Sequence, residues 1–200
     1  MLNKKFFTEL KTEYSKKESE RRQIISASNA VLHDAKRVIF SLHRGDNKKA
    51  LESLSDIETR LKKLQKNFGY ERLEEEGAYG AGVEEYVEAK MFYLVIAKKP
   101  LGKVAGIKIS AASYLGGLSD LCGELVRQAV NLAAAGKIKE ARANKQIISD
   151  IIAEFVEFDF TGYLRTKYDQ ANSHFRKMEQ IDYELNLRKW SLSSPTSMIT

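Results

Sequence analysis

Two pairs of acidic residues lie at helical spacing within otherwise apolar stretches of the sequence. Glu85 and Glu88 are three residues apart and precede an apolar run, and Asp120 and Glu124 are four residues apart among small residues. Side chains three or four positions apart share one face of a helix. Carboxylates in apolar surroundings are unfavourable unless a cation meets them. The spacing therefore predicts that these two pairs hold a cation.

The chemistry of these side chains favours a hard metal ion. Carboxylates without histidine or thiolate ligands suit Mg²⁺, or Mn²⁺ as the alternative, rather than zinc. Such a site activates water and hydrolyses phosphodiesters. The predicted metal ligands are Glu85, Glu88, Asp120 and Glu124. A di-iron site is disfavoured because the Glu-x-x-His pairs that it uses are absent.

The same acids also have ordinary structural interpretations, which the sequence alone leaves open. An acid and a base one turn apart can form an ion pair, and acids are favoured in the first turn of a helix. The alternatives are a Glu124–Arg127 pair, a first-turn role for Glu84 and Glu85, and a solvent-exposed Glu88–Lys90 pair.

Most of the positive charge lies near the N-terminus. Residues 1–44 hold ten Lys and Arg against five Asp and Glu, within a chain whose net charge is +6. A basic stripe on one long helix is typical of a protein that neutralises nucleic-acid phosphates. The alternative is a solvated helix face.

Composition limits the fold and the compartment. Two prolines and twelve glycines in 200 residues favour long helices over a many-stranded β fold. One cysteine excludes an internal disulfide, and no apolar run approaches the length of a membrane span. We therefore expect a single domain over residues 1–190, a cytoplasmic location and no membrane partner.

Hydrophobic periodicity predicts helices throughout. The first runs without Gly or Pro up to Gly45, and Asp46 is a good N-cap for the second. Residues 67–82, rich in Gly and Glu, are expected to form a mobile loop. Four further helices are predicted at about 83–98, 110–135, 137–159 and 163–190. Residues 191–200 are expected to form a disordered tail.

Several segments together resemble the translin/TRAX family, and TRAX (translin-associated factor X) more than translin. They are Lys36-Arg-Val-Ile-Phe-Ser-Leu-His-Arg44, Glu85-Tyr-Val-Glu-Ala89, Tyr114-Leu-Gly-Gly117 with Asp120-Leu-Cys-Gly-Glu-Leu125, and Lys167-Tyr-Asp with Tyr183-Glu-Leu-Asn-Leu-Arg188. The likeness spans roughly residues 20–190.

The resemblance implies an all-α fold, an antiparallel bundle of about seven helices with a long N-terminal helix. It also implies a hollow homo-octamer that encloses RNA or single-stranded DNA, and a Mg²⁺-dependent endoribonuclease site in TRAX-type subunits. The substrate expected is single-stranded RNA or an RNA duplex with a cleavable strand. Two departures are a shorter loop between the two acid-bearing helices and a shorter N-terminus than in TRAX.

The resemblance also implies roles for individual residues. The family's catalytic acids match Glu85, Glu88 and Asp120, and Glu124 is a further metal ligand or orients Asp120. The nucleic-acid-binding positions expected are Arg21, Arg22, Lys36, Arg37, His43 and Arg44. The sequence thus predicts a metal-dependent endoribonuclease. The alternatives are a non-catalytic RNA-binding or DNA-binding scaffold and a purely structural helical protein.

Overall fold

The protein is described by a computed structural model over residues 1–193, with side chains through residue 187. Every regular element in this part of the chain is an α-helix. In chain order they are α1 (Lys4–His43), α2 (Asn47–Phe68), α3 (Tyr70–Glu74), α4 (Gly77–Ile96), α5 (Ala111–Ala134), α6 (Ile138–Val156) and α7 (Gly162–Ser193). For the described residues, the predictions of an all-α fold and seven helices are confirmed.

The chain divides into two compact units. The first comprises residues 1–117, with α1 to α4 and the first turns of α5. The second begins at residue 118 and contains the rest of α5, α6 and α7. Because the unit boundary falls inside α5, this one helix contributes side chains to both units.

In the first unit, α1 and α2 form a helical hairpin. Gly45 adopts a φ of +79°, a left-handed conformation that glycine takes without steric cost. The Asp46 side chain then accepts a hydrogen bond from the Lys49 backbone N–H at 3.3 Å and caps α2. The apolar stripe of α2 is buried at Ala50, Leu54, Ile57, Leu61 and Leu64.

The expected mobile loop at residues 67–82 is wrong. This segment contains the short helix α3, and α4 begins at Gly77 rather than near residue 83. The glycine at position 82 serves close packing, because a Cβ there would lie 2.9 Å from the backbone oxygen of Ser28 in α1. Gly82, which allows two helices to pack closely, was therefore misread as a loop residue.

The loop between α4 and α5 covers residues 97–110, close to the predicted 99–109. The Ser113 N–H donates to the Ser110 hydroxyl at 3.2 Å and so begins α5 with a side-chain cap. Near the start of α5, a Cβ at Gly117 would lie 2.7 Å from the Glu84 backbone oxygen. The small residues of α5 thus permit α4 to approach closely.

In the second unit, α6 packs against α7 and α5. The buried Asn144 amide donates to the Leu125 carbonyl at 3.2 Å and to the Gln128 side chain at 2.8 Å. On α7, Asp182 accepts hydrogen bonds from two basic residues of α6. Helix α7 ends at Ser193, three residues beyond the predicted end, and residues 194–200 of the predicted tail lie outside the described residues.

Within residues 1–193, no helix combines the length and the apolar character needed to cross a membrane.

Candidate functional site

The first acid pair lies in the middle of α4. Because α4 begins at Gly77, Glu85 is more than two turns from the helix start, and the alternative of a first-turn role for Glu84 and Glu85 is wrong. The Glu85 side chain is 19% exposed and Glu88 is 7% exposed. Three-residue spacing places both carboxylates on one face of α4. The result is a pair of acids that is only partly open to solvent.

A basic residue of α1 reaches this pair. The Lys36 ammonium lies 3.8 Å from a carboxylate oxygen of Glu85, while the Lys36 side chain is 59% exposed. Lys36 therefore contacts one member of the acid pair, Glu85, and is also open to solvent. Lys36 was predicted to bind phosphate and Glu85 to bind a metal ion. The structure brings these two residues together although they lie 49 residues apart in the chain.

The alternative that pairs Glu88 with Lys90 is also wrong. The Lys90 ammonium donates to Glu58 of α2 at 2.7 Å, and the Tyr86 hydroxyl donates to the same oxygen at 3.0 Å. Burial, together with the Glu58 carboxylate, raises the pKa of Tyr86. Lys90 thus belongs to a separate cluster that joins α2 and α4.

The second acid pair lies on the part of α5 that belongs to the second unit. The Lys167 ammonium of α7 donates to both Asp120 oxygens, at 2.8 and 2.5 Å, and its side chain is 14% exposed. Glu124 lies 3.6 Å from Arg127, so the alternative of a Glu124–Arg127 ion pair is confirmed. The basic partner of Asp120 had not been predicted, because it comes from a helix 47 residues away.

His174 is a further residue of this region that sequence reasoning missed. A Cβ at Gly123 would lie 3.1 Å from the His174 ring, so the ring packs directly on the α5 backbone. Burial and the nearby Lys177 lower the pKa of His174, and Asp120 and Glu124 act in the opposite direction. Gly123 indicated that another segment packs closely against α5, but nothing in the sequence identified which side chain contacts it.

Cys122 is buried, and burial together with the Asp120 charge raises the pKa of its thiol to about 12. A neutral thiol is a poor nucleophile. Cys122 therefore packs as a small apolar residue.

The four predicted ligands divide into one pair in each unit. Across the described residues, no group of three or more His, Cys, Asp or Glu is placed to hold a metal ion. Mg²⁺ nevertheless commonly uses only one or two carboxylates, with water and substrate phosphates completing its shell. Glu85 and Glu88 fit that mode, because they are carboxylates on one helix face and one of them is buried. The full ligand set of four acids stays a prediction.

Five of the six predicted nucleic-acid-binding residues are exposed on α1 or at its end. They are Arg21, Arg22, Lys36, Arg37 and Arg44. The Arg37 side chain is 80% exposed and lies 3.2 Å from Asp34, and the Arg44 guanidinium lies over the Phe40 ring at 5.5 Å. Exposed cations on one long helix suit contact with phosphates.

Arg21 and His43 also make side-chain contacts within the first unit. Arg21 lies 3.5 Å from the nearly buried Glu76, which ties α1 to the start of α4. The His43 ring, the last residue of α1, packs at 4.8 Å on the buried ring of Phe92. Both side chains thus support the packing of α1, and their contact with nucleic acid stays a prediction.

Comparison with known proteins gives consistent matches. The family model described as Translin family matches residues 19–189. An uncharacterised protein of Methanocaldococcus jannaschii is 26% identical over 169 residues, which cover 80% of this chain and 74% of that protein.

Three solved structures share the fold. The crystal structure of apo-NeC3PO matches with a TM-score of 0.80 and 24% identity, over 92% of this chain and 98% of that one. AfC3PO matches with a TM-score of 0.84 and 20% identity, over 92% and 98%. The AfC3PO complex with duplex RNA matches with a TM-score of 0.82 and 19% identity, over 94% and 99%.

Proposed function

This chain belongs to the translin family, and from that premise we propose that it is a Mg²⁺-dependent endoribonuclease that binds and cleaves single-stranded RNA. The substrate range includes an RNA duplex with a cleavable strand, and single-stranded DNA is a further ligand. AfC3PO, whose fold this chain shares, forms a complex with duplex RNA. In this proposal the chain is of the TRAX type and works as a homo-oligomer, with eight copies in a closed shell.

The observation that carries the proposal is the contact between Lys36 and Glu85. A mostly exposed ammonium lies 3.8 Å from a carboxylate whose neighbour on the same face, Glu88, is buried. A phosphate bound by Lys36 would therefore lie beside the acid pair. Phosphodiester hydrolysis needs this combination of a positioned phosphate and carboxylates that bind metal.

Each residue has a defined role in the proposed site. Glu85 and Glu88 would hold Mg²⁺, and Asp120 and Glu124 are the proposed further ligands. Mg²⁺ in such a site supplies activated water and neutralises charge on the scissile phosphate. Lys36 binds a flanking phosphate, and the exposed arginines of α1 bind the backbone on either side.

A second candidate function is an RNA-binding scaffold without catalysis. Lys167 holds both oxygens of Asp120, and the described residues contain no group of three potential metal ligands. Asp120 would then serve to fix α7 to α5. This candidate retains the basic face of α1 as the RNA-binding surface.

One experiment separates the two candidates. A labelled single-stranded RNA is incubated with wild-type protein and with a Glu85→Gln/Glu88→Gln variant, each with Mg²⁺ and with EDTA. We expect Mg²⁺-dependent cleavage by the wild type and its loss in the variant, because glutamine preserves the side-chain shape and removes the charge that binds the cation. RNA binding, measured by fluorescence anisotropy in EDTA, should persist in the variant.

Glu52→Gln is the matched control, because it removes an exposed carboxylate of the same unit in α2. It should cleave at the wild-type rate. RNA binding without cleavage by the wild type in any condition would establish the scaffold. Cleavage by the double variant at the wild-type rate would exclude Glu85 and Glu88 as Mg²⁺ ligands.

A further inference from the structure

Four basic residues follow one exposed face along almost the whole of α1. At 100° per residue, the directions of Lys4, Lys11, Arg22 and Lys36 fall within an arc of about 40°. All four are exposed. We refer to these four residues as the basic strip.

The remainder of this face is almost free of acids. Glu18 is the acidic residue within the arc, and it lies 3.7 Å from Arg21. Within 40° of the arc, six exposed residues are polar or basic, Thr8, Ser15, Ser26, Asn29, His33 and Arg44, and three are aromatic, Phe7, Tyr14 and Phe40. Hydroxyl, amide and imidazole groups between cations are the groups that proteins use to contact phosphates and sugars.

The charge of the basic strip is largely uncompensated. Among the residues that the structure describes, Lys4, Lys11 and Arg22 have no carboxylate within ion-pair distance. Lys36, at the far end, contacts Glu85. The strip is therefore a line of free positive charge that ends at the proposed catalytic pair.

The first half of the strip lies outside the family match, which begins at residue 19. We call residues 1–18 the N-terminal arm. Residues 1–17 are exposed throughout, and from Lys4 onward they form the first turns of α1. Lys4 and Lys11 on the arm therefore lie outside the residues that the family model matches.

We propose that the N-terminal arm is an RNA-binding extension, and that the basic strip guides a single strand of RNA along α1 toward Glu85. The proposal rests on the proposed function, whose site it extends. From Lys4 to Lys36 the strip spans about 48 Å. At about 3.4 Å for each stacked nucleotide, that length matches about 14 nucleotides.

The arm also has an apolar side, which is centred on a different direction. Phe6, Phe7, Leu10 and Tyr14 are 51%, 50%, 42% and 68% exposed, and their mean direction is about 90° from the strip. An anionic lipid surface would meet the arm alone. The strip instead continues on one face past the arm to Arg22 and Lys36, so an extended polyanion matches its full length and a lipid surface does not.

The test compares two charge-matched variants of the full chain. Lys4→Gln/Lys11→Gln removes two strip lysines, and Lys5→Gln/Lys16→Gln removes two exposed lysines from a different face of the same arm. Affinity for fluorescein-labelled oligouridine RNA of 24 and 6 nucleotides is measured by anisotropy in EDTA across a salt series. All four positions are exposed, so both variants should retain the wild-type circular dichroism.

We expect the strip variant to bind the 24-nucleotide RNA about tenfold more weakly, with a salt slope smaller by about 1.4, since each single-strand phosphate contact contributes about 0.7. The control variant should stay within about twofold of the wild type. The 6-nucleotide RNA should bind all three proteins alike, because it is too short to reach from Lys36 to the arm.

Equal losses in both variants would overturn the proposal, because net charge alone would then account for the affinity. Unchanged RNA binding in the strip variant would also overturn it. If the strip variant also binds phosphatidylserine-containing vesicles more weakly than the wild type, the arm binds a lipid surface instead of RNA. If the wild type binds neither RNA, the proposed function itself fails, and that outcome is distinct from both of the others.

Discussion

Gly82 in α4 and Gly117 in α5 allow neighbouring helices to pack closely because glycine has no side chain. A Cβ at Gly82 would meet the Ser28 backbone oxygen, and one at Gly117 would meet the Glu84 backbone oxygen at 2.7 Å. A backbone atom cannot move aside as the end of a flexible side chain can. These two positions therefore set how closely α4 approaches α1 and α5, and with it the placement of the acid pair.

Gly82→Ala is expected to destabilise the protein by about 1–3 kcal/mol, because the added methyl group forces α4 away from α1. Gly80→Ala is the control on the same helix, since a Cβ there meets nothing within 4 Å. It should be neutral or stabilise by about 0.5–1 kcal/mol through helix propensity. Urea denaturation of both variants measures the difference, and equal midpoints would contradict the close-packing role of Gly82.

At the scale of helices, one carboxylate joins α6 to α7. Asp182 accepts hydrogen bonds from Lys145 at 2.7 Å and from Arg142 at 2.8 Å, and its side chain is 16% exposed. The hydrogen bond from Lys145, followed by that from Arg142, lowers the pKa of Asp182. These two ion pairs, which tie α6 to α7, form only while Asp182 is ionised.

The contribution of this tie to stability should therefore depend on pH. A lowered pKa in the folded state means that the contribution is complete above the unfolded value of 3.8 and is lost as pH falls through the folded value. Asp182→Asn should cost about 1.5–3 kcal/mol at pH 7, the usual range for hydrogen bonds to charged groups. Denaturant titrations of wild type and variant at pH 7 and pH 3 measure this cost.

The difference in unfolding free energy between the two proteins should shrink at pH 3. The matched control is Asp150→Asn, on an exposed residue of α6 that pairs with Gln146 of the same helix. Its effect should be small at both pH values. If the difference in unfolding free energy between the wild type and Asp182→Asn stays constant with pH, the ionised carboxylate is not what joins α6 to α7.

At the scale of the whole molecule, the proposed shell predicts self-association. The arm exposes Phe6, Leu10 and Tyr14 on one side. An exposed apolar patch of this kind is typical of a surface that contacts another protein chain. Light scattering coupled to size-exclusion chromatography at micromolar concentration should give a mass of several copies, with eight as the proposed number. A monomer would contradict the proposed shell.

The control for that measurement is high salt after nuclease treatment. Copies held together by apolar contacts should remain associated, because such contacts are not screened by salt. Copies bridged by bound RNA should separate. Dissociation under these conditions would therefore assign the large mass to RNA rather than to protein contacts.

Much of the fold followed from local rules that the sequence carries directly. Helical periodicity predicted α1, and Asp46 indicated the start of α2. Three-residue spacing placed Glu85 and Glu88 on one face, and the motifs around them indicated the translin family, which is confirmed. The closer likeness to TRAX stays a prediction. Such features depend on residues within one or two turns of each other, so a sequence alone is enough to establish them.

Contacts between distant segments were decided only by the tertiary structure. The glycines at 77–82 resembled a loop until α1 was seen to pack against Gly82. Neither the Lys36–Glu85 contact nor the Lys167–Asp120 pair has a local signal, because their partners lie 49 and 47 residues apart. Which helices meet, and at which residues, depends on how all the apolar faces are buried together, and no single segment carries that information.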